Sequence, residues 1–334
     1  MAGVQLTGIV MTLARRRFLH LAAAGAAATA ALPRAAAALD YPVRPVRLIV
    51  GFPAGTGPDV IARLTGQRLW ERLGQQFIVD NRSGAGSSLA AQDVVAAPVD
   101  GYTLLLAANA NAVNASLYPK LPFNFVRDTT AVGMICSAPF LLVANPALPA
   151  KTFPEFIAYA KANPGKINLA SPGIGTTPHL MYELLKMMTG IELVHVPYRT
   201  GYVADLLSGQ VQVAFSTNTQ VIQYVRDGKL RALALSSATR SEVLPEVPTI
   251  GETVRGYDAS GWFGICAPKA TPAAVTDKLN TAINAIVAEP DTRKRLTGLG
   301  VLPLSMTRAG FGRLIADDTE KWAKVIRKAN IKLE

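Results

Sequence analysis

Short runs of β-branched and other apolar residues alternate with amphipathic helical stretches along most of this chain, a pattern that restricts it to βαβ units around a largely parallel sheet. The first unit is predicted as a buried strand from Val46 to Phe52, a loop from Pro53 to Gly57 and a helix from Pro58 to Leu73. Pro58 at the first helical position lacks only an N–H that would have no partner there, and Gly74 supplies the left-handed residue that closes the last turn. A second strand is expected at Phe77–Asp80, a glycine-rich loop at Ser83–Ser88 and a helix at Leu89–Ala97, after which Asp100 and Gly101 turn into a strand at Thr103–Ala107. The grammar restarts after Pro149, with a helix over Phe153–Ala162, a strand at Ile167–Ala170, the loop Ser171–Thr177 and a helix over Pro178–Thr189 ended by Gly190. Strands at Leu193–Val196, Val211–Phe215 and Leu230–Leu235 continue it, and the chain is mostly helical beyond Thr271.

Two extended apolar segments, Val132–Val143 and Trp262–Ala267, are not followed by a tight loop and helix. A chain that leaves one α/β lobe, builds a second and returns has two such crossings. The expected organisation is therefore a first lobe of residues 40–140 plus 266–334, a second lobe of residues 141–265, and a two-strand hinge between them.

The N-terminus bears on compartment. Arg15, Arg16, Arg17, Phe18 and Leu19 precede an alanine-rich apolar run from Leu21 to Leu32, and Ala35–Ala38 offers an A-x-A cleavage site. This reads as a twin-arginine signal over residues 1–38, with translation starting at Met1 or Met11 and the mature chain in the periplasm. An amphipathic helix of a cytosolic protein is the competing reading, but Leu21–Ala31 has no polar face. No cysteine stands at the cleavage site, which argues against a lipid anchor. The whole chain carries 34 Lys and Arg against 23 Asp and Glu; removing residues 1–39 takes away Arg15, Arg16, Arg17 and Arg34 and no acid, leaving a net +7. That balance favours anionic partners, while the absence of any zinc-finger, RNP or basic-region motif speaks against nucleic acid. Cys136 and Cys266 are too few for a disulfide framework; a single bridge or two buried thiols remain open.

Ligands of open α/β sheets sit beyond the carboxyl ends of the strands, where loops aim helix N-termini into a crevice. Two loops have that form. Phe52, Pro53, Ala54, Gly55, Thr56 and Gly57 lead into one helix, and Ser171, Gly173, Gly175, Thr176 and Thr177 lead into another. Free N–H groups at a helix start attract an anion, glycines let backbone approach it, and hydroxyls add donors without a fixed charge. Facing one another, such loops form a clamp for a carboxylate, although each alone reads equally as an ordinary βα turn. Asn109 and Asn111 (with Asn114) offer neutral amides after the third strand, Asp59 is suited to an ammonium rather than an acid, and Tyr198 and Arg199 end a strand where Arg199 suits a bidentate carboxylate pair. His179 at a helix start either touches ligand or caps the helix, and His195 in a strand reads as a satisfied core or edge residue. Gly84-x-Gly86-x-x-Leu89 lacks the third glycine of a dinucleotide fingerprint, no P-loop lysine or serine elbow is present, and neither histidine lies in a metal-spaced cluster. No cofactor, metal or enzymatic activity is expected.

The segments Tyr41-Pro42-Val43-Arg44-Pro45-Val46-Arg47, Phe52-Pro53-Ala54-Gly55, Asn81-Arg82-Ser83-Gly84-Ala85-Gly86 and Asp100-Gly101-Tyr102-Thr103-Leu104 resemble the Bug family, the substrate-binding proteins of tripartite tricarboxylate transporters. So do Asn145-Pro146-Ala147-Leu148-Pro149-Ala150, Val194-His195-Val196-Pro197-Tyr198, Leu244-Pro245-Glu246-Val247-Pro248-Thr249 and Trp262-Phe263-Gly264, in order along the chain. The resemblance implies a type II periplasmic-binding fold, a carboxylate held at the first loop partly through water and at the second loop by its other end, and delivery to a membrane permease by a monomeric receptor. A sensory subunit serving a receptor kinase is the alternative. Thr56 and Pro58 stand where the family usually has glycine and threonine, Arg199–Ala204 is about two residues short, and Ser216 replaces a common aspartate. The last change points to a carboxylate without an obligatory ammonium.

Overall fold

The computed structural model describes residues 40–118, 120–198, 201–241 and 244–332; the signal read at residues 1–38 and Arg199 lie outside the described residues. The chain forms β1 (Val46–Val50), α1 (Gly57–Leu73), β2 (Phe77–Asn81), α2 (Ser88–Val95), β3 (Thr103–Ala108), α3 (Asn109–Leu117), α4 (Phe125–Asp128) and β4 (Thr129–Ala138). It then builds β5 (Phe140–Ala144), α5 (Phe153–Ala162), β6 (Asn168–Ser171), α6 (Thr177–Thr189), β7 (Val194–Pro197), α7 (Tyr202–Ser208), β8 (Val213–Thr217), α8 (Asn218–Arg226), β9 (Arg231–Leu235) and α9 (Ile250–Thr253). It ends with β10 (Gly261–Pro268), α10 (Ala273–Ala288), α11 (Pro290–Gly298), β11 (Leu302–Pro303) and α12 (Arg308–Lys328).

These strands form two sheets, ordered β11-β4-β10-β3-β1-β2 and β7-β6-β8-β5-β9. Each is mixed rather than largely parallel, which corrects the sequence expectation. β1 is parallel to β2 and β3, and β6 to β7 and β8, whereas β10 is antiparallel to both β3 and β4, and β5 to both β8 and β9. The reason is topological: a strand arriving from the other lobe starts at the edge where the native parallel strands end, so it must run against them. The expected crossing segment Val132–Val143 is accordingly two strands, broken at Pro139 where β4 leaves the first sheet and β5 opens the second.

Helix ends follow the local chemistry. Pro58 and Pro178 occupy the first turns of α1 and α6, and Gly74 (φ 78°) and Gly190 (φ 74°) close them in the left-handed conformation. The second sheet is buried on both faces, and residues alternate between them: Leu142 and Ala144 join the core under α5 and α6, while Leu141 and Val143 join the one under α7 and α8. α12 packs against both lobes. Phe311 and Ile315 lie in the first lobe's core with Trp262, and Trp322, Val325 and Ile326 lie among second-sheet residues. Gly264 is required by that packing, since a Cβ there would sit 2.4 Å from the Phe311 ring and 2.7 Å from the Gly133 carbonyl.

Cys136 is opposite Phe263 and Cys266 opposite Ala131 in the β4–β10 ladder, and both thiols are free and buried. The register separates them by about 10 Å or more along the strands, beyond the about 7 Å that a bridge tolerates. Burial raises both thiols far above ordinary values, Cys266 to about 12, so neither is a reactive thiolate.

Trp322 is fully buried and its indole N–H has no hydrogen-bond partner. Trp322→Ala should therefore cost about 3–5 kcal/mol in denaturant unfolding through the cavity it leaves, whereas Trp322→Phe, which also removes the unpartnered donor, should cost about 1.5 kcal/mol or less.

Candidate functional site

The first loop, Phe52–Gly57, is exposed at Pro53, Ala54 and Gly55 and is shaped from beneath. Asp59 is 2% exposed, and its carboxylate accepts from the Gly55 N–H (2.9 Å), Arg63 Nε (2.9 Å) and Asn81 Nδ2 (2.9 Å). Asn81 Nδ2 also donates to the Phe52 carbonyl (3.0 Å), and Thr56 Oγ1 donates to the Pro53 carbonyl (2.6 Å). Burial opposes ionisation of Asp59, but the bonds from Arg63, Gly55 and Asn81 outweigh it and hold the carboxyl below its ordinary value. The charge is consumed inside the loop, so Asp59 supports the loop rather than facing the crevice with a free carboxylate.

The glycine-rich segment lies beside this loop. Gly84, Ala85, Gly86 and Ser87 all take positive φ (142°, 45°, 59° and 76°), an arrangement costly for the two non-glycine residues. Side-chain amides from α3 hold it: Asn114 Nδ2 donates to the Gly86 (2.6 Å) and Ala85 (3.2 Å) carbonyls, and Asn111 Nδ2 lies 3.3 Å from Ser87 Oγ. Asn111 Oδ1 also accepts from the Ala108 N–H at 2.9 Å, starting α3. Gly51 has to be glycine, since a Cβ would fall 2.0 Å from Ser87 Oγ. Ser87 is a structural support that sequence reasoning did not single out, with the Gly-Ala-Gly-Ser run as the signal available for it, and Asn114, read as a ligand-facing amide, supports the loop instead.

In the second lobe, β6 ends at the buried Ser171, whose Oγ accepts from the Gly173 N–H (3.1 Å) and lies 2.6 Å from His195 Nε2. Gly175 donates its N–H to His179 Nδ1 at 3.0 Å, and Thr176 Oγ1 donates to the Gly173 carbonyl at 2.7 Å. The His179 and His195 rings are stacked, with centroids 3.9 Å apart and planes 4° from parallel. His179 thus caps its own loop, and His195, read from sequence as a packing residue, is part of the same network. Tyr198 hydroxyl donates to Asp205 (2.7 Å), which raises it to about 12, and Ser216 pairs with the Tyr202 hydroxyl (2.9 Å), beside Gln220 and Thr217.

The two lobes meet at the start of α6. Asn109 Nδ2, on the first residue of α3, donates to Thr177 Oγ1 at 3.2 Å. A second bond joins Asn218 Nδ2 to the Gly300 carbonyl at 3.4 Å, and Phe52 meets Phe263 of β10 edge-to-face at 6.4 Å. The structure therefore gathers Asn109, Thr177, Ser171, Gly173, Gly175 and His179 around one junction. Among the described residues no group of three His, Cys, Asp or Glu side chains is arranged to hold a metal ion, and no helix is long and apolar enough to cross a membrane.

A two-lobe fold with helix starts meeting across a crevice is the architecture of a solute receptor, and the comparisons agree. The chain belongs to the TctC family, described as tripartite tricarboxylate transporter family receptor, whose model matches residues 61–331. It is 36% identical over 314 residues to protein BugT of Bordetella pertussis, covering 92% of this chain and 96% of that one. Among solved structures it is similar to R. palustris Rpa4515 with adipate (32% identity, TM-score 0.73, 87% of this chain and 99% of that one). It is also similar to MatC (Rpa3494) from Rhodopseudomonas palustris with bound malate (30% identity, TM-score 0.69, 86% of this chain and 100% of that one). Members of this family are substrate-binding receptors, not enzymes, and the resemblance read from the sequence is borne out.

Burial, then the neighbouring His179, holds the His195 ring down to about 4, below its ordinary value of 6.5, with Glu183 opposing. Between those values the unfolded chain binds the proton and the folded chain does not, so stability should be flat above about 6.5 and fall as pH drops towards about 4. Urea unfolding across that range should show the slope in the parent chain and a smaller one in His195→Gln.

Proposed function

We propose that this protein is a periplasmic receptor, exported by the twin-arginine route, that captures a small carboxylate between the loops Phe52–Gly57 and Ser171–Thr177 and passes it to a tripartite tricarboxylate transporter permease. The observation carrying this reading is the junction of Asn109 with Thr177, which brings the amide-lined end of the first lobe to the N-terminus of α6. Anionic ligand oxygens would accept from the free N–H groups at the starts of α1 and α6 and from Asn109 and Thr177. The carboxylates in the related proteins, adipate and malate, support the chemical class. Ser216, bonded to Tyr202, leaves a neutral wall where an ammonium would need a carboxylate, so the ligand is an acid without an obligatory amino group. Closure of the lobes about β4 and β10 excludes water and creates the shape that the permease recognises. The receptor acts as a monomer.

A thermal-shift screen of malate, adipate, citrate, aromatic acids and amino acids tests this reading. A carboxylate present at 100 times its Kd should stabilise the chain by about 2.7 kcal/mol, a rise of several degrees in Tm; no shift with any acid, or a shift with amino acids alone, rules the reading out. Asn109→Ala should weaken the ligand so identified by about 1–2 kcal/mol, read by calorimetric titration, with little change in the unliganded Tm.

A further inference from the structure

We propose that His179 and His195 form a positioning pair that gives the second ligand loop its shape, and that the loop keeps this shape only while both rings are neutral. This deepens the carboxylate-receptor reading and rests on it for the loop's role. The loop has little conformation of its own, because Gly173 (φ 138°) and Gly175 (φ 75°) both sit in backbone regions that glycine alone occupies readily. The Thr176 and Ser171 hydroxyls hold the Gly173 carbonyl (2.7 and 3.1 Å), and two ring nitrogens hold the loop's N–H groups. His195 Nε2 meets Ser171 Oγ at 2.6 Å, and that oxygen also takes the Gly173 N–H; His179 Nδ1 takes the Gly175 N–H at 3.0 Å.

An imidazole that accepts at Nδ1 carries its one proton on Nε2, so a second proton on His179 has only Nδ1 to bind, directly against the Gly175 donor. That proton would abolish the bond and set two donors face to face. It would also place positive charge at the N-terminal end of α6 and against the stacked His195 ring 3.9 Å away. Among the described residues, the charged or titratable groups facing the pair are the two rings themselves and Glu183 of α6, whose Oε1 lies 3.6 Å from His179 Nε2. From β6 and the loop come only the Ser171 hydroxyl and backbone amides. Burial and the neighbouring ring both disfavour charge on His195. Glu183 is the one group that favours it. Ligand capture at this loop is therefore proton-linked, with acid loosening the grip.

The chain has three histidines in all, His20 among them, so ring nitrogen signals in the full-length labelled protein can be assigned by single substitutions. The expected result is an Nε2–H tautomer for His179 at about pH 7.5, with the Gly175 amide signal moving together with the His179 ring and the Gly173 signal with the His195 ring on acidification. An Nδ1–H tautomer, or ring titration that leaves those amides in place, overturns the proposal.

The second arm compares binding of adipate and malate at about pH 7.5 and about pH 5.5 in the parent chain and in His179→Asn, whose Oδ1 can accept from Gly175 but takes no proton. The parent should lose more affinity than the variant over that step. Protonation of the acid itself cancels in the comparison. Equal pH dependence overturns the proposal. If neither acid binds, the carboxylate reading is what fails, and the ring titration still decides the pairing.

Discussion

The antiparallel pairing of β4 with β10 is the constraint on which this molecule depends. The chain leaves the first lobe along β4 and re-enters along β10, and the eight-residue ladder from Gly261↔Ala138 to Pro268↔Thr129 ties exit and entry together. Because β4 and β10 are both interior strands of the first sheet, that sheet cannot be completed until the second lobe has been traversed. That arrangement also fixes the strand directions, sending β10 against β3 and β5 against β8. The starts of α3 and α6 meet within this topology, Asn109 against Thr177.

Around the two loops, fixed charge is handled sparingly. The one buried carboxylate at the first loop, Asp59, is spent on its own backbone and on Arg63 and Asn81. Neutral amides and hydroxyls do the remaining shaping, from Asn111 and Asn114 in the first lobe and Ser171 and Thr176 in the second. A receptor that must release its solute benefits from this, since backbone N–H groups and neutral donors hold an anion without the deep well of a buried ion pair.

Much of this was legible in the sequence. Pro58 with Gly74 and Pro178 with Gly190 bracket α1 and α6 to within a residue, because local backbone chemistry decides helix ends. α3 was not seen as a helix, since Asn-Ala-Asn-Ala-Val-Asn-Ala-Ser-Leu combines weak propensity with no apolar stripe; it is stabilised by its tertiary amide contacts. The mixed sheets were missed because strand direction depends on where the chain comes from, which no window of residues records. Both loops were identified by their glycines and prolines. The stacking of His179 on His195 was not, because it follows from the β6–β7 register, Leu169 opposite His195, and from the seat of α6 beside it. Arg199 lies outside the described residues.

The last helix carries a mechanical consequence. α12 is a rod of 21 residues, about 30 Å long, with Phe311 and Ile315 set in one core and Trp322, Val325 and Ile326 in the other. An α-helix resists stretching, so the side of the molecule it spans keeps its length whatever the lobes do. The two cores are thereby held at one separation on this side of the molecule, while at the junction the tie is a side-chain hydrogen bond, Asn109 to Thr177.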